Sequence, residues 1–334
     1  MNTPFVSIIM PTYNHEKYIR QAIESVLAQE CNFSYQLLIG EDFSTDKTRE
    51  ICQSFADLYP DKIILLPSYK NLGLVLNYKQ LFDACNSKYV AILEGDDYWT
   101  NENKLQMQID IMENNEDIGL VHTRSCSLYE NGNLKVNTHL KHSNKSGHEL
   151  FKEYYLDKSS IVPLTVCFRK KIFNEYVDYD FCIENQLSTI DNFIFPEMMI
   201  HTKFHFINQI TGHYRVLSSS VSNNVDYLKS KKWLSKIKIT LDYFTNKYPL
   251  QKKIENTIYN NLYITSIKIG LKNNDYTYVK KNVKNIVIKD FKTFYYYFIA
   301  NFSFLHFIFI LEGKTIHFLS KSKQFFLKLL KFYR

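Results

Sequence analysis

The first 125 residues repeat one unit, a short β-branched apolar run followed by a longer stretch with helical spacing. Val6–Met10 stops at Pro11 and reads as a strand covered on both faces, as in parallel sheets. Asn14 is placed to cap a helix in which Tyr18, Ile19, Ala22, Ile23, Val26 and Leu27 share a face. The pattern continues with a strand at Gln36–Gly40, a helix carrying Ile51, Cys52, Phe55 and Leu58, and a strand at Lys62–Leu66. A turn at Asn71-Leu72-Gly73 leads into a helix ending near Cys85, then a strand at Tyr89–Leu93, a helix at Asn103–Asn114 and a strand at Ile118–His122. Alternation of this kind predicts an α/β domain, an open and mostly parallel sheet with helices on both faces. Ligands of such sheets bind beyond the carboxyl ends of the strands. Residues 126–225 lack the rhythm and read as loops with short segments.

Four polar groups fall at or just past strand ends or in the later irregular stretch: Pro11-Thr12-Tyr13-Asn14, Glu41-Asp42, Glu94-Gly95-Asp96-Asp97 and Asp191. In the third, three carboxylates within four residues repel one another unless a divalent cation neutralises them. Oxygen ligands beside phosphates suit Mg²⁺ or Mn²⁺. The plainer alternative is a solvated acidic turn in which Asp96 or Asp97 caps the next helix. A dinucleotide-dependent oxidoreductase would need Gly-x-Gly-x-x-Gly after the first strand, and Pro11-Thr12-Tyr13-Asn14-His15 bears no likeness to it.

Taken in order, Val6-Ser7-Ile8-Ile9-Met10-Pro11-Thr12-Tyr13-Asn14, Glu41-Asp42-Phe43-Ser44-Thr45-Asp46 and Leu93-Glu94-Gly95-Asp96-Asp97-Tyr98-Trp99 resemble the family 2 glycosyltransferases. The resemblance spans roughly residues 5–225. It implies a GT-A nucleotide-diphospho-sugar transferase fold and inverting transfer from a nucleotide-sugar donor, UDP-linked in the favoured case. Thr12 and Tyr13 then correspond to donor-base contacts, with Pro11, Asn14 and Glu41 beside them, and Asp42 to the carboxylate that binds the base. Glu94-Gly95-Asp96 stands in place of the family's Asp-x-Asp motif, Glu replacing the first Asp, with Asp96 and Asp97 nearest the metal. Asp191 corresponds to the general base, although Glu184 and Glu197 are alternatives and Asp191 could simply begin a helix. In His213-Tyr214-Arg215, Arg215 corresponds to a donor-phosphate contact, and Ser218–Ser222 to the family's closing segment. A non-catalytic sugar-nucleotide or envelope-binding protein on the same fold is the rival reading.

Charge divides the chain. Residues 226–334 carry a net +15 and residues 1–225 a net −8, which marks 1–225 as the catalytic domain and 226–334 as a helical, Lys- and aromatic-rich extension. Phe294–Leu311 holds no formal charge and, with its tyrosines and His306, fits a membrane interface better than a hydrocarbon core. Lysine-rich stretches of this kind attract anionic lipid; helices packed as a structural core are the alternative, and a contiguous apolar block argues against nucleic acid. The six cysteines include no Cys-x-x-Cys pair and no metal-finger spacing and read as scattered intracellular thiols, and the start shows no leader pattern. The expected setting is the cytoplasm at the inner face of the membrane, and the expected acceptor an oligosaccharide or lipid-linked glycan of the cell envelope.

Overall fold

The computed structural model describes residues 3–137, 147–156, 161–187, 190–217 and 226–301. Chain contacts divide it into two units: residues 1–224 with 239–248, and residues 225–238 with 249–334.

In the first unit the elements run β1 (Val6–Thr12), α1 (Ile19–Leu27), β2 (Tyr35–Glu41), α2 (Thr48–Leu58), β3 (Ile63–Leu65), α3 (Leu74–Ala84), β4 (Tyr89–Ile92), β5 (Tyr98–Trp99), α4 (Lys104–Asn114) and β6 (Ile118–Tyr129). They continue with β7 (Leu134–Val136), α5 (Gly147–Leu156), β8 (Val166–Arg169), α6 (Lys170–Tyr176), α7 (Tyr179–Glu184), α8 (Asp191–His201), β9 (Lys203–Val216) and α9 (Tyr227–Lys247), within which the division between units falls. The strand order is β3-β2-β1-β4-β8-β6-β9-β5, with β7 paired to β6. Strands β1 to β4 are mutually parallel, β6 and β9 share their direction, and β8, β5 and β7 run against it.

Alternation along β1 explains why both faces are covered. Val6, Ile8 and Met10 point into one core with Ile23, Val26, Leu105 and Ile109, whereas Ile9 enters a second core with Tyr78, Phe168, Ile194 and Met198. Each such side chain contributes about 1.5–3 kcal/mol on burial. Lys104 is an exception. It is fully buried at the start of α4, with its ammonium 2.7 Å from Gln108 Oε1 and 4.3 Å above the Trp99 ring.

Three expectations need correction. Strand β1 runs through Pro11 to Thr12 rather than stopping at proline. Asn14 does not cap α1: its φ is 54°, and its side chain accepts from Thr45 N at 2.9 Å, tying the loop after β1 to the loop after β2. The described residues between 126 and 217 are more regular than their sequence suggests, above all in the 14-residue strand β9.

The second unit holds α10 (Lys252–Lys272), α11 (Tyr276–Val283) and α12 (Phe291–Asn301) around a core of Ile264, Ile267, Leu271, Val279, Val283, Tyr295 and Ile299. The uncharged run thus starts by burying one face of α12 within its own unit; its continuation past Asn301, and Ser218–Ser222, lie outside the described residues. Among those residues no helix is long and apolar enough to cross a membrane.

Candidate active site

The carboxyl ends of β1, β2 and β4 meet because their loops are stitched by backbone hydrogen bonds. Asp42 N–H donates to Thr12 O (2.9 Å) and Gly95 N–H to Pro11 O (3.0 Å). Gly95 permits this approach, since a Cβ there would lie 2.4 Å from Thr12 Oγ1 and 2.7 Å from Thr12 Cβ.

Just beyond β4, one ligand oxygen from each of Glu94, Asp96 and Asp97 lies within 4.8 Å of the others. Asp97 is 1% exposed; its Oδ1 accepts from Arg215 N at 2.8 Å, whereas its Oδ2 is buried with no partner. Burial first, then the charges of Asp96 and Glu94, holds the Asp97 carboxyl well above the usual range, against the pull of Arg215. Glu94 is pushed up to about 8 by burial and by Asp96, with the Tyr78 hydroxyl opposing. Three crowded carboxylates and an orphaned buried oxygen form a donor set that a hard divalent cation fits. Neither Asp96 nor Asp97 takes the alternative role of helix cap, since the next helix, α4, has Asn103 at its cap position.

His15 adjoins the cluster. Its Nδ1 lies 3.1 Å from Thr12 Oγ1 and its Nε2 4.0 Å from Asp96 Oδ2. Burial lowers its pKa, although the charges of Asp96 and Asp46 act in the other direction. His15 was not among the sequence candidates, and nothing in its local pattern signals the contact.

Arg215, expected at the donor phosphates, is engaged by groups of the protein itself. It is 8% exposed, and its guanidinium donates to Asp96 O and to Gln21 Oε1. The same group lies between two rings, 4.9 Å from Tyr18 and 4.7 Å from Tyr98. Such a group is a brace for the acidic loop. Beside it, Tyr98 Oη and His213 Nδ1 are 2.7 Å apart, across the β5–β9 pairing.

Two other expected ligands are also engaged. Glu41 is fully buried, paired with Arg49 at 3.1 Å and accepting from Ser44 N at 2.6 Å, so it shapes the loop after β2. Asp42, 4% exposed, accepts from Leu72 N (2.6 Å) and Gly73 N (2.9 Å), one bond to each oxygen. Its pKa is nonetheless raised, because burial outweighs those two bonds. Asp42 therefore clasps the loop ahead of α3. Tyr13, 43% exposed, and Phe43, 50% exposed, remain open beside it.

Asp191 opens α8, where a carboxylate is favoured by the helix dipole. Its charge reaches both Glu94 and Tyr78, so it lies within electrostatic range of the acidic cluster. Burial raises it to about 6, against hydrogen bonds from its own N–H and that of Asn192. Of the alternatives, Glu197 is fully buried, with its Oε1 accepting from Lys247 Nζ (2.6 Å) and Tyr248 Oη (2.6 Å). Glu184 is exposed at the end of α7, and Thr189, beside Asp191 in the motif, lies outside the described residues.

A family model described as Glycosyl transferase family 2 matches residues 7–177. An uncharacterised protein of Mycobacterium tuberculosis strain H37Rv is 33% identical over 127 residues, 38% of this chain and 37% of that protein. The putative teichuronic acid biosynthesis glycosyltransferase TuaG of Bacillus subtilis is 33% identical over 109 residues, 33% of this chain and 42% of TuaG. The chain therefore spans under half the length of either relative. Among solved structures, S. aureus TarS 1-349 in complex with UDP-GlcNAc superposes with a TM-score of 0.59 at 14% identity, covering 84% of this chain and 81% of that one.

Proposed function

We propose that this chain, which belongs to glycosyl transferase family 2 and has the GT-A fold, moves a hexosyl or N-acetylhexosaminyl group from a UDP-sugar to a glycan or lipid-linked acceptor of the cell envelope. The observation that carries the reading is the meeting of Glu94, Asp96 and Asp97 beyond β4, with Asp97 Oδ2 buried and unpartnered. The UDP-GlcNAc named for the TarS structure and the teichuronic acid synthesis named for TuaG support the donor class and the envelope setting.

In this mechanism Asp96 and Asp97, with Glu94 beside them, would hold Mn²⁺ or Mg²⁺, and the ion when bound would neutralise charge on the departing nucleoside diphosphate. Tyr13, exposed beside Pro11, Thr12 and Asn14, faces the nucleotide. Asp191 takes the proton of the acceptor hydroxyl. The hydroxyl oxygen bonds to the anomeric carbon while the bond from that carbon to the diphosphate oxygen breaks, and the pair of electrons leaves with UDP. One displacement inverts the anomeric centre, and no covalent enzyme intermediate forms. Residues 1–225 supply this chemistry. The extension, with its excess of lysine, holds the enzyme to an anionic membrane surface at the cytoplasmic face.

Titration calorimetry with UDP, with and without Mn²⁺, tests the reading on wild type and on Asp96→Ala. Metal-dependent binding lost in the variant is the expected result. No binding of UDP, GDP or dTDP would leave the transferase reading without its main support.

A further inference from the structure

Tyr78 is fully buried in α3, and its hydroxyl donates to Glu94 Oε1 at 2.9 Å. Its ring packs on Phe82, centroids 5.9 Å apart, a place that phenylalanine would fill equally well. A buried hydroxyl is retained at a cost unless it is bonded, and here the bond goes to the first carboxylate of the acidic cluster.

The position of α3 is fixed independently of that bond. Asp42 clasps Leu72 N and Gly73 N ahead of the helix, Gly73 turns with φ 79°, and Asn77 Nδ2 donates to Gly40 O at 2.7 Å. Tyr78, one residue on, is thereby presented to the end of β4 at a set height. An aspartate at position 94 would place its carboxylate about 1.5 Å short of the glutamate's reach.

We propose that Tyr78 is a positioning residue: by holding Glu94 Oε1 it leaves the second carboxylate oxygen to face Asp96 and the bound cation, and it makes glutamate the working residue at position 94. The role deepens the metal-dependent reading above and rests on it. Glu94 and Tyr78 are then a matched pair, and neither substitution adds to the loss caused by the other.

The test measures Mn²⁺ uptake in the presence of UDP from the resonance signal of free Mn²⁺, with the unfolding temperature followed in parallel. Tyr78→Phe and Glu94→Asp are each expected to weaken Mn²⁺ binding on the order of tenfold, the loss of one hydrogen bond to a charged group. The double variant should be no weaker than Glu94→Asp alone. Unchanged Mn²⁺ affinity in Tyr78→Phe, with or without a lower unfolding temperature, overturns the positioning role. So does a double variant in which the two losses multiply. A wild type that takes up no Mn²⁺ with UDP removes the metal reading itself, and this role with it.

Discussion

The backbone N–H of Arg215 donates to Asp97 Oδ1 at 2.8 Å across 118 residues of sequence. The same residue's guanidinium holds Asp96 O, so the end of β9 grips the acidic loop at two successive residues.

Arg215→Ala should therefore cost stability as well as binding. Removing charged hydrogen bonds of this kind costs about 2–3 kcal/mol, to be read from urea unfolding, and Mn²⁺-dependent UDP affinity should fall at least tenfold, on the order expected for such a loss. Lysine lacks the fork that spans Asp96 O and Gln21 and should not rescue. A variant of wild-type stability that loses only donor affinity would return Arg215 to the donor phosphates.

Asp191→Asn should lower kcat by about 10²–10⁴ and leave UDP binding within about twofold, the limit of a change that spares the interaction. A base acts only when deprotonated, and burial raises Asp191 to about 6. The wild-type rate should hence hold above that value and decline as pH falls through it. A profile flat from about pH 5 to 8, the range in which such a group must titrate, would reassign the base.

Gly95→Ala places a methyl against Thr12 at 2.4–2.7 Å. Overpacking of this order costs about 1–3 kcal/mol, and the displaced loop should lose metal-dependent UDP binding, which calorimetry reads directly. Normal binding by Gly95→Ala would mean that the loop tolerates a shift and that its spacing is not set by Thr12.

Lys104 tests a buried charge away from the chemistry. Burial lowers it to about 7 from an ordinary value near 10.5. Between those values the unfolded chain binds more protons than the folded one, so this group's penalty is full below pH 7 and is relieved as pH rises. Wild type should gain roughly 1–3 kcal/mol relative to Lys104→Met between about pH 7 and 9. Parallel unfolding curves for the two proteins over that range would show that Lys104 does not titrate there.

Apart from the two-residue β5, the strands and helices through Ile118 were legible because each is local: an apolar run, then a 3.6-residue spacing. Strand β9 was not. It interleaves His205, Asn208 and Gln209 with Phe204, Phe206 and Ile207 in an order that makes sense only beside β6 and β5. The acidic cluster was equally legible, because three carboxylates after an apolar strand are conspicuous on their own. The partners of Glu41, Asp42 and Arg215 were hidden: a carboxylate that braces a loop and one that faces a ligand have the same letter, and only the fold shows which backbone N–H groups lie within reach. His15 and Tyr78 escaped for the same reason, as their contacts are tertiary.

Strand β9 also sets a clock. The ribosome must add 118 residues after Asp97 before Arg215 exists, and at about 5–20 residues per second this takes roughly 6–24 s. Throughout that interval β5 lacks its partner strand and the acidic loop lacks its clamp, so the growing chain carries the cluster's carboxylates but not the grip that organises them. On the mechanism proposed above, nucleotide capture waits for the far end of β9 to leave the ribosome.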